Sequence, residues 1–193
     1  FILILTLATS IVACNTTRNI EKQVNSGNYD VAINDALKKL SNNKSKKSKQ
    51  ASILLLKNAF TKVTERDLDN IAYLKKDSNP ENFESIFKLY QELNNRQEKI
   101  KPILPLSVNG KEVKFKFNNY DAELIEYKEK TSNYLYGKAV TLLNTNDKFN
   151  ARKAYEDFEY INDINPNYKD VNKLKDDALL KGQDLILLSI KNN

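Results

Sequence analysis

Residues 151–166 read ARKAYEDFEYINDINP, and their apolar side chains recur at helical intervals. Ala154, Phe158 and Ile161 are spaced by four and three residues, so they fall on one face of an α-helix. Charged and amide side chains fill most other positions, which favours a helix that is packed on one side and hydrated on the other. Pro166 cannot continue the helix, and we expect the helix to end just before it.

The segments on either side of this helix show the same periodicity. Apolar residues recur at helical spacing from Leu124 to Leu142, which predicts a helix that begins near Asp121. A further helix from Val171 is expected to stop at Gly182, with the glycine as a left-handed residue beyond the last turn. These three helices are predicted to pack as antiparallel neighbours joined by short turns.

The first half of the chain is also predicted to be helical. A Gly27-Asn28 turn, followed by a helix that opens toward Ala32, predicts a helical hairpin. The longest predicted helix covers residues 50–76. Asn79 as a cap and Pro80 at the first helical position predict the start of the next helix.

Residues 106–117 predict a β-hairpin inserted among the helices. Asn109-Gly110 is a strong turn signal, because both residues accept a positive φ. Val113, Phe115 and Phe117 alternate with lysines, and this period of two is typical of a strand. An isolated hairpin is marginally stable in water, so we expect its apolar side to lie on the helices.

The last apolar run, residues 184–190, predicts a buried strand. A strand needs a partner, and the only other predicted strands are far away in the sequence. We therefore expect residues 184–193 to begin a C-terminal β region that continues beyond residue 193.

The composition favours a helical protein with a hydrated surface. Its 193 residues contain four glycines and four prolines, and the net charge of +6 comes from 27 lysines and four arginines against 25 acidic residues. Arginine, more than lysine, suits bidentate recognition of phosphates and bases, so we expect no nucleic-acid partner. With no histidine and one cysteine, we expect no metal site and no disulfide.

Ala154, Phe158, Ile161 and Pro166 match the small, aromatic, small-apolar and proline positions in the second helix of a tetratricopeptide repeat. The turn at Gly27 also resembles the turn of that repeat. The resemblance is degenerate, because the two best units stand 122 residues apart instead of the regular ~34. It implies a mainly α fold of antiparallel helical hairpins in a right-handed array, here with one small β-hairpin and a C-terminal strand.

The N-terminal sequence predicts membrane attachment. Ile11, Val12, Ala13 and Cys14 close an uncharged opening and resemble the lipobox of bacterial lipoproteins. The opening is too short to span a bilayer, which needs about 20 residues, but it suits a signal peptide. The alternative is a short buried helix that ends in an ordinary core cysteine.

The lipobox resemblance implies a signal peptide at residues 1–13, truncated at its start, and a lipidated tether at residues 14–19. It implies a diacylglycerol thioether on Cys14, and no other cofactor is expected. Asn15 stands where many lipoproteins of the inner membrane carry aspartate, so the resemblance implies an outer-membrane anchor with the body facing the periplasm. The helical-repeat domain is then predicted at residues 20–183, with the β-hairpin inserted in it.

No catalytic constellation is evident from the residue types. Without histidine there is no His-based triad, and lipidation would remove the only thiol. The carboxylates of residues 123, 126 and 129 alternate with lysines, as on an ordinary hydrated helix face. We therefore expect no enzyme activity in this chain.

Two sets of residues are candidates for binding. Tyr136 and Tyr160 lie off the main apolar stripes and are candidates for partner contacts. The basic connector of residues 41–49 could meet anionic lipid head groups, although a hydrated loop is the simpler interpretation. Its candidate contacts are Lys44, Lys46, Lys47 and Lys49.

These observations predict a lipid-anchored envelope protein that acts as a helical-repeat interaction or scaffold module. Its partners would be the membrane, through the lipid, and another envelope protein or peptide. The alternative is that the helices present a larger envelope enzyme or ligand-binding lipoprotein whose active region lies beyond residue 193.

Overall fold

The computed structural model describes residues 16–41 and 47–184, and this part of the chain is mainly helical, as predicted. Antiparallel helical hairpins build it, together with one two-stranded sheet among the described residues. The chain divides into two compact units. Unit 1 comprises Phe1–Asp77 and Leu89–Tyr120, and unit 2 comprises Ser78–Lys88 and Asp121–Asn193.

Unit 1 contains the helical hairpin predicted around Gly27. Helix α1 covers residues 16–25 and helix α2 covers Tyr29–Leu40. Gly27 has a φ of 76°, which glycine adopts without the clash that a Cβ would cause. The amide of Asn28 donates to the carbonyl of Gln23 at 2.9 Å and closes the turn.

The predicted tether is corrected at its C-terminal end, because residues 16–19 form the first turn of α1. Ile20 and Val24 of this helix are buried in the core of unit 1. The hydroxyl of Thr17 accepts a hydrogen bond from Lys39 of α2, so the polar turn is also held to its neighbour. Polar composition alone therefore misplaced the start of the folded region. Residues 1–15 lie outside the described residues.

Helix α3 (Gln50–Lys76) has the bounds that its periodicity predicted and supplies the largest share of the core of unit 1. The buried apolar residues of this core come from α1, α2, α3, the last residue of the fourth helix and the segment that follows it. They are Ile20, Val24, Ala32, Ile33, Ala36, Leu40, Ile53, Leu56, Ala59, Phe60, Val63, Ile100 and Leu106.

Helix α4 (Phe83–Ile100) follows the predicted cap, Asn79, but does not begin directly at it. The side chain of Asn79 accepts a hydrogen bond from the amide of Glu81 at 3.1 Å. A short 3-10 turn, Pro80–Asn82, leads into the helix. The helix ends before Pro102, as expected, and its two parts belong to different units.

The β-hairpin is confirmed but is shorter than residues 106–117. Strand β1 (Ser107–Val108) pairs antiparallel with β2 (Lys111–Glu112). Asn109 and Gly110 have φ values of 51° and 76°, the positive values that the turn requires. The apolar residues that follow the ladder pack against the core of unit 1.

Unit 2 contains α5 (Asp121–Leu143), α6 (Lys148–Ile164) and α7 (Val171–Gly182). The carboxylate of Asp147 caps α6 by accepting from the amide of Asn150 at 2.9 Å. Of the residues that resemble a tetratricopeptide repeat, Ala154, Phe158 and Ile161 are fully buried and Pro166 is exposed. The core consists of Leu135, Ala139, Leu143, Ala151, Ala154, Phe158, Ile161, Val171 and Ala178.

Gly182 has a different role from the predicted one. It is the last residue of α7 and not a left-handed residue beyond it. A Cβ at this position would lie 3.0 Å from Cγ of Arg152, so the glycine allows α6 and α7 to approach closely. The strand predicted from Leu185 onward lies outside the described residues. Asp184 is not in a strand, and it accepts hydrogen bonds from Lys148 and Arg152.

Candidate functional site

The predicted basic contacts are only partly described. The lipobox with Cys14, together with Lys44 and Lys46, lies outside the described residues. Lys47 is exposed in a short 3-10 turn. Lys49 donates from Nζ to the carbonyl of Lys39 at 2.6 Å, so its charge lies against the C-terminal end of α2, where a cation is favoured.

Tyr136 is not a free surface residue, because its ring packs against the core of unit 2. Its hydroxyl donates to Oδ1 of Asp170 at 2.7 Å, and this hydrogen bond raises the pKa of Tyr136. Nζ of Lys169 lies 4.4 Å from the centre of the ring. The ring therefore fastens the turn between α6 and α7 to α5.

Tyr160 is half-buried on α6, and burial raises the pKa of its hydroxyl. Nζ of Lys88 lies 5.2 Å from the centre of its ring. Glu84, one turn before Lys88 on α4, accepts a hydrogen bond from that ammonium group at 2.5 Å and raises the pKa of Lys88. The first turns of α4 thus bring a charged pair to the aromatic ring predicted as a partner contact.

Asp157 and Lys138 form a second charged pair in unit 2. Nζ of Lys138 donates to Oδ1 of Asp157 at 3.2 Å and lies 3.0 Å from Oδ2. Burial raises the pKa of Asp157, and the Lys138 ammonium opposes this shift. Glu84 and Glu156 raise the same pKa further through charge repulsion. The pair joins α5 to α6 at the level of Tyr160.

A shallow groove of about 470 Å³ runs along α5 beside this pair. Gly137 forms its floor, and Lys138 belongs both to the groove and to the pair with Asp157. The lining is mostly uncharged, with aromatic, amide, hydroxyl and aliphatic side chains. The groove is lined by Asn133, Tyr134, Gly137, Lys138, Thr141 and Leu142.

Gly137 has no structural reason to be glycine. It lies in the middle of a helix, it is exposed, and its φ is not in the left-handed region. A Cβ at this position would meet nothing within 4 Å. Glycine in a helix interior costs about 0.5–1 kcal/mol relative to alanine, so the open floor of the groove comes at a cost to stability.

These residues offer two ion pairs and two phenol hydroxyls. Lys88 and Lys138 are ion-paired, and the raised pKa values of Tyr136 and Tyr160 keep both hydroxyls protonated at neutral pH. Among the described residues, no group of acidic, cysteine or histidine side chains could hold a metal ion. Within the same ranges, no helix is long and apolar enough to cross a membrane.

A buried charged cluster in unit 1 was not predicted from the sequence. Arg96 of α4 is 3% exposed and forms two hydrogen bonds with Asp30 of α2, at 2.5 and 2.9 Å. It donates a third to Oδ2 of Asp67 on α3 at 2.6 Å. The bond from Arg96 is the main cause that lowers the pKa of Asp30. The sequence signal that could have indicated this cluster is the scarcity of arginine in a lysine-rich chain.

Comparison with protein-family models, with curated proteins and with solved structures finds no match to this chain. Its function therefore has to be argued from the residues and their geometry. Of the two tyrosines selected from the sequence, Tyr160 lies beside the ion pairs of α4, α5 and α6, and Tyr136 lies against the turn between α6 and α7. Sequence reasoning missed Gly137, although an isolated glycine within a helical stripe was a readable signal.

Proposed function

We propose that this chain is a lipid-anchored protein of the bacterial cell envelope that acts as a helical-repeat interaction module. In this proposal the covalent lipid on Cys14 holds the protein at the outer membrane, and unit 2 binds a segment of another envelope protein. The observation that supports the binding role is the groove over Gly137. There a glycine makes helix α5 less stable than alanine would, and the space that a side chain would occupy stays open.

The lining of the groove favours a peptide segment as the ligand. Asn133 and Thr141 present an amide and a hydroxyl, and Tyr134 and Leu142 offer apolar surface. A peptide has both kinds of group along its length. Because Gly137 has no side chain, the backbone of α5 is accessible to close approach by such a segment.

The experiment that tests the binding role of the groove fills it with a side chain and leaves the helix intact. Gly137→Leu places a side chain with good helix propensity into open space, so the fold should be retained. Ala122→Leu is the matched control, because Ala122 is exposed on the same helix and lies outside the groove. A photo-reactive residue at position 133 in the full reading frame reports on contacts in intact cells.

We expect the same cross-linked partner to recur in the wild type and in the Ala122→Leu variant. Gly137→Leu should reduce its yield at least fivefold without changing the helical circular dichroism signal. If no cross-link rises above that of a probe at position 122, or if the filled groove gives an unchanged yield, the groove is not the binding site.

A further inference from the structure

Residues 113–117 of unit 1 form an alternating segment that continues from β2. Val113, Phe115 and Phe117 are partly buried against the core of unit 1, and Lys114 and Lys116 are exposed. The ring of Phe60 on α3 lies 5.7 Å from the ring centres of both Phe115 and Phe117, edge to face. The side-chain pattern is that of a strand whose inner face is already packed.

The two ends of this segment are fixed by hydrogen bonds. At one end, the amide of Val113 donates to the carbonyl of Leu106 at 2.8 Å. At the other, the amide of Asn118 donates to Oε1 of Gln97 at 2.7 Å, and its carbonyl accepts from Nε2 of Gln97 at 2.9 Å. Gln97 is 2% exposed, so this anchor is part of the interior of unit 1.

Among residues 16–41 and 47–184, no strand pairs with the backbone between these anchors. In the part of the chain that the structure describes, the peptide groups of residues 114–117 form no hydrogen bond. A packed segment with free backbone amides and carbonyls has the properties of a sheet edge that can accept another strand.

The charge of unit 1 indicates the kind of strand that would fit. Its sequence ranges contain 19 lysines and arginines against 10 aspartates and glutamates, a net charge of +9. Lys114 and Lys116 lie on the outer face beyond Glu112, and neither forms an ion pair with a described residue. Opposite charges directly across a strand pair are favourable, so carboxylates on the incoming strand would complement these lysines.

We propose that residues 114–117 are a docking edge for an extended acidic segment of another protein, which pairs as an added β-strand. The free backbone favours a peptide over a lipid surface, because a lipid head group cannot supply alternating donors and acceptors along four residues. This surface belongs to unit 1 and is independent of the groove on α5.

The test measures binding of a fluorescent peptide of four Glu-Thr repeats to the full-length protein in detergent. The same sequence, N-methylated at every residue, keeps the charge but cannot donate backbone hydrogen bonds. The double variant Lys114→Glu/Lys116→Glu reverses the charge of the edge. Lys22→Glu/Lys38→Glu makes the same change in net charge at exposed lysines of α1 and α2.

We expect the unmodified peptide to bind and the methylated peptide to bind at least tenfold more weakly. Charge reversal at 114 and 116 should weaken binding roughly tenfold or more, and the control reversal less than twofold, because only the first pair lies opposite the added carboxylates. Equal losses in the two double variants would overturn the proposal in favour of general charge attraction. Equal binding of the methylated peptide, displacement by phosphatidylglycerol vesicles, or no binding at all would also overturn it.

Discussion

Arg96 joins three helices of unit 1 through one guanidinium group. It binds the carboxylate of Asp30 in a bidentate manner through Nε and Nη2, and its Nη1 donates to Asp67. Asp30 is half exposed at its side chain, so water screens that pair, whereas Asp67 is 2% exposed. The contact between Arg96 and Asp67 should therefore contribute more to the free energy of unfolding than the contact with Asp30.

Replacing Asp67 by alanine should destabilise unit 1 strongly. The change leaves the buried Arg96 with the half-exposed Asp30 and with Glu92 at 3.8 Å, and breaking a buried pair in this way costs about 3–5 kcal/mol. Asp69→Ala is the matched control, since Asp69 is exposed two residues further along α3 and should change the free energy of unfolding by less than about 0.5 kcal/mol. Urea unfolding followed by circular dichroism measures both. Equal effects of the two variants would show that the cluster is not a buried ion pair in solution.

At the scale of the elements, two helical glycines face opposite surroundings. Gly137 in α5 has open space where a Cβ would be, whereas a Cβ at Gly182 in α7 would lie 3.0 Å from the side chain of Arg152. Arg152 cannot easily withdraw, because its Nε donates to the carbonyl of Gly182 at 2.8 Å and its Nη2 donates to Asp184 at 2.7 Å. Glycine therefore leaves a groove open on α5, and in α7 it allows a close contact with α6.

The same substitution should have opposite effects at these two positions. Gly137→Ala should raise the free energy of unfolding by about 0.5–1 kcal/mol, because alanine has the higher helix propensity and meets no neighbour. Gly182→Ala should lower it, because the added methyl group must displace Arg152 from the contact between α6 and α7. Thermal unfolding of the two variants side by side provides the measurement. A stabilising Gly182→Ala would mean that the two helices are not in tight contact there.

At the scale of the whole molecule, basic and acidic residues are distributed unevenly along the chain. The ranges of unit 1 carry a net charge of +9, so those of unit 2 carry −3 within the total of +6. Unit 1 also includes the N-terminal residues in which the lipid anchor is predicted. A cationic unit next to an acyl anchor would be attracted to anionic head groups, by about 1 kcal/mol for each lysine near the surface.

Cys14→Ala should release the protein from the membrane without unfolding it, because the core residues described for both units all come after Cys14. Cells that express the full-length precursor, labelled with radioactive palmitate and fractionated, should show label in the wild type and none in the variant. Ser10→Ala, a change of similar size outside the lipobox, is the control and should remain labelled. An unlabelled wild type, or a variant that stays equally membrane-bound, would refute the lipoprotein interpretation.

The sequence by itself determined the helices, their turns and the position of the hairpin. These features depend on neighbouring residues: the spacing of apolar side chains in α3, the positive φ at Gly27, and the cap at Asn79. Local signals were less reliable where a segment ends. Polar composition predicts a tether where residues 16–19 are helical, and residue type predicts a left-handed Gly182 beyond α7 where it is the last residue of that helix. Neither signal shows which residues pack alongside.

Only the tertiary structure decided which distant residues meet. Arg96 and Asp30 are 66 positions apart, and Gln97 reaches Asn118 across 21 positions. The sequence pointed to Tyr160 as a candidate contact, but the approach of Lys88 to its ring and the pair Lys138–Asp157 follow from the packing of α4, α5 and α6. The physical reason is that burial and charge pairing depend on separation in space, whereas a periodic pattern reports only which face of its own helix a residue occupies.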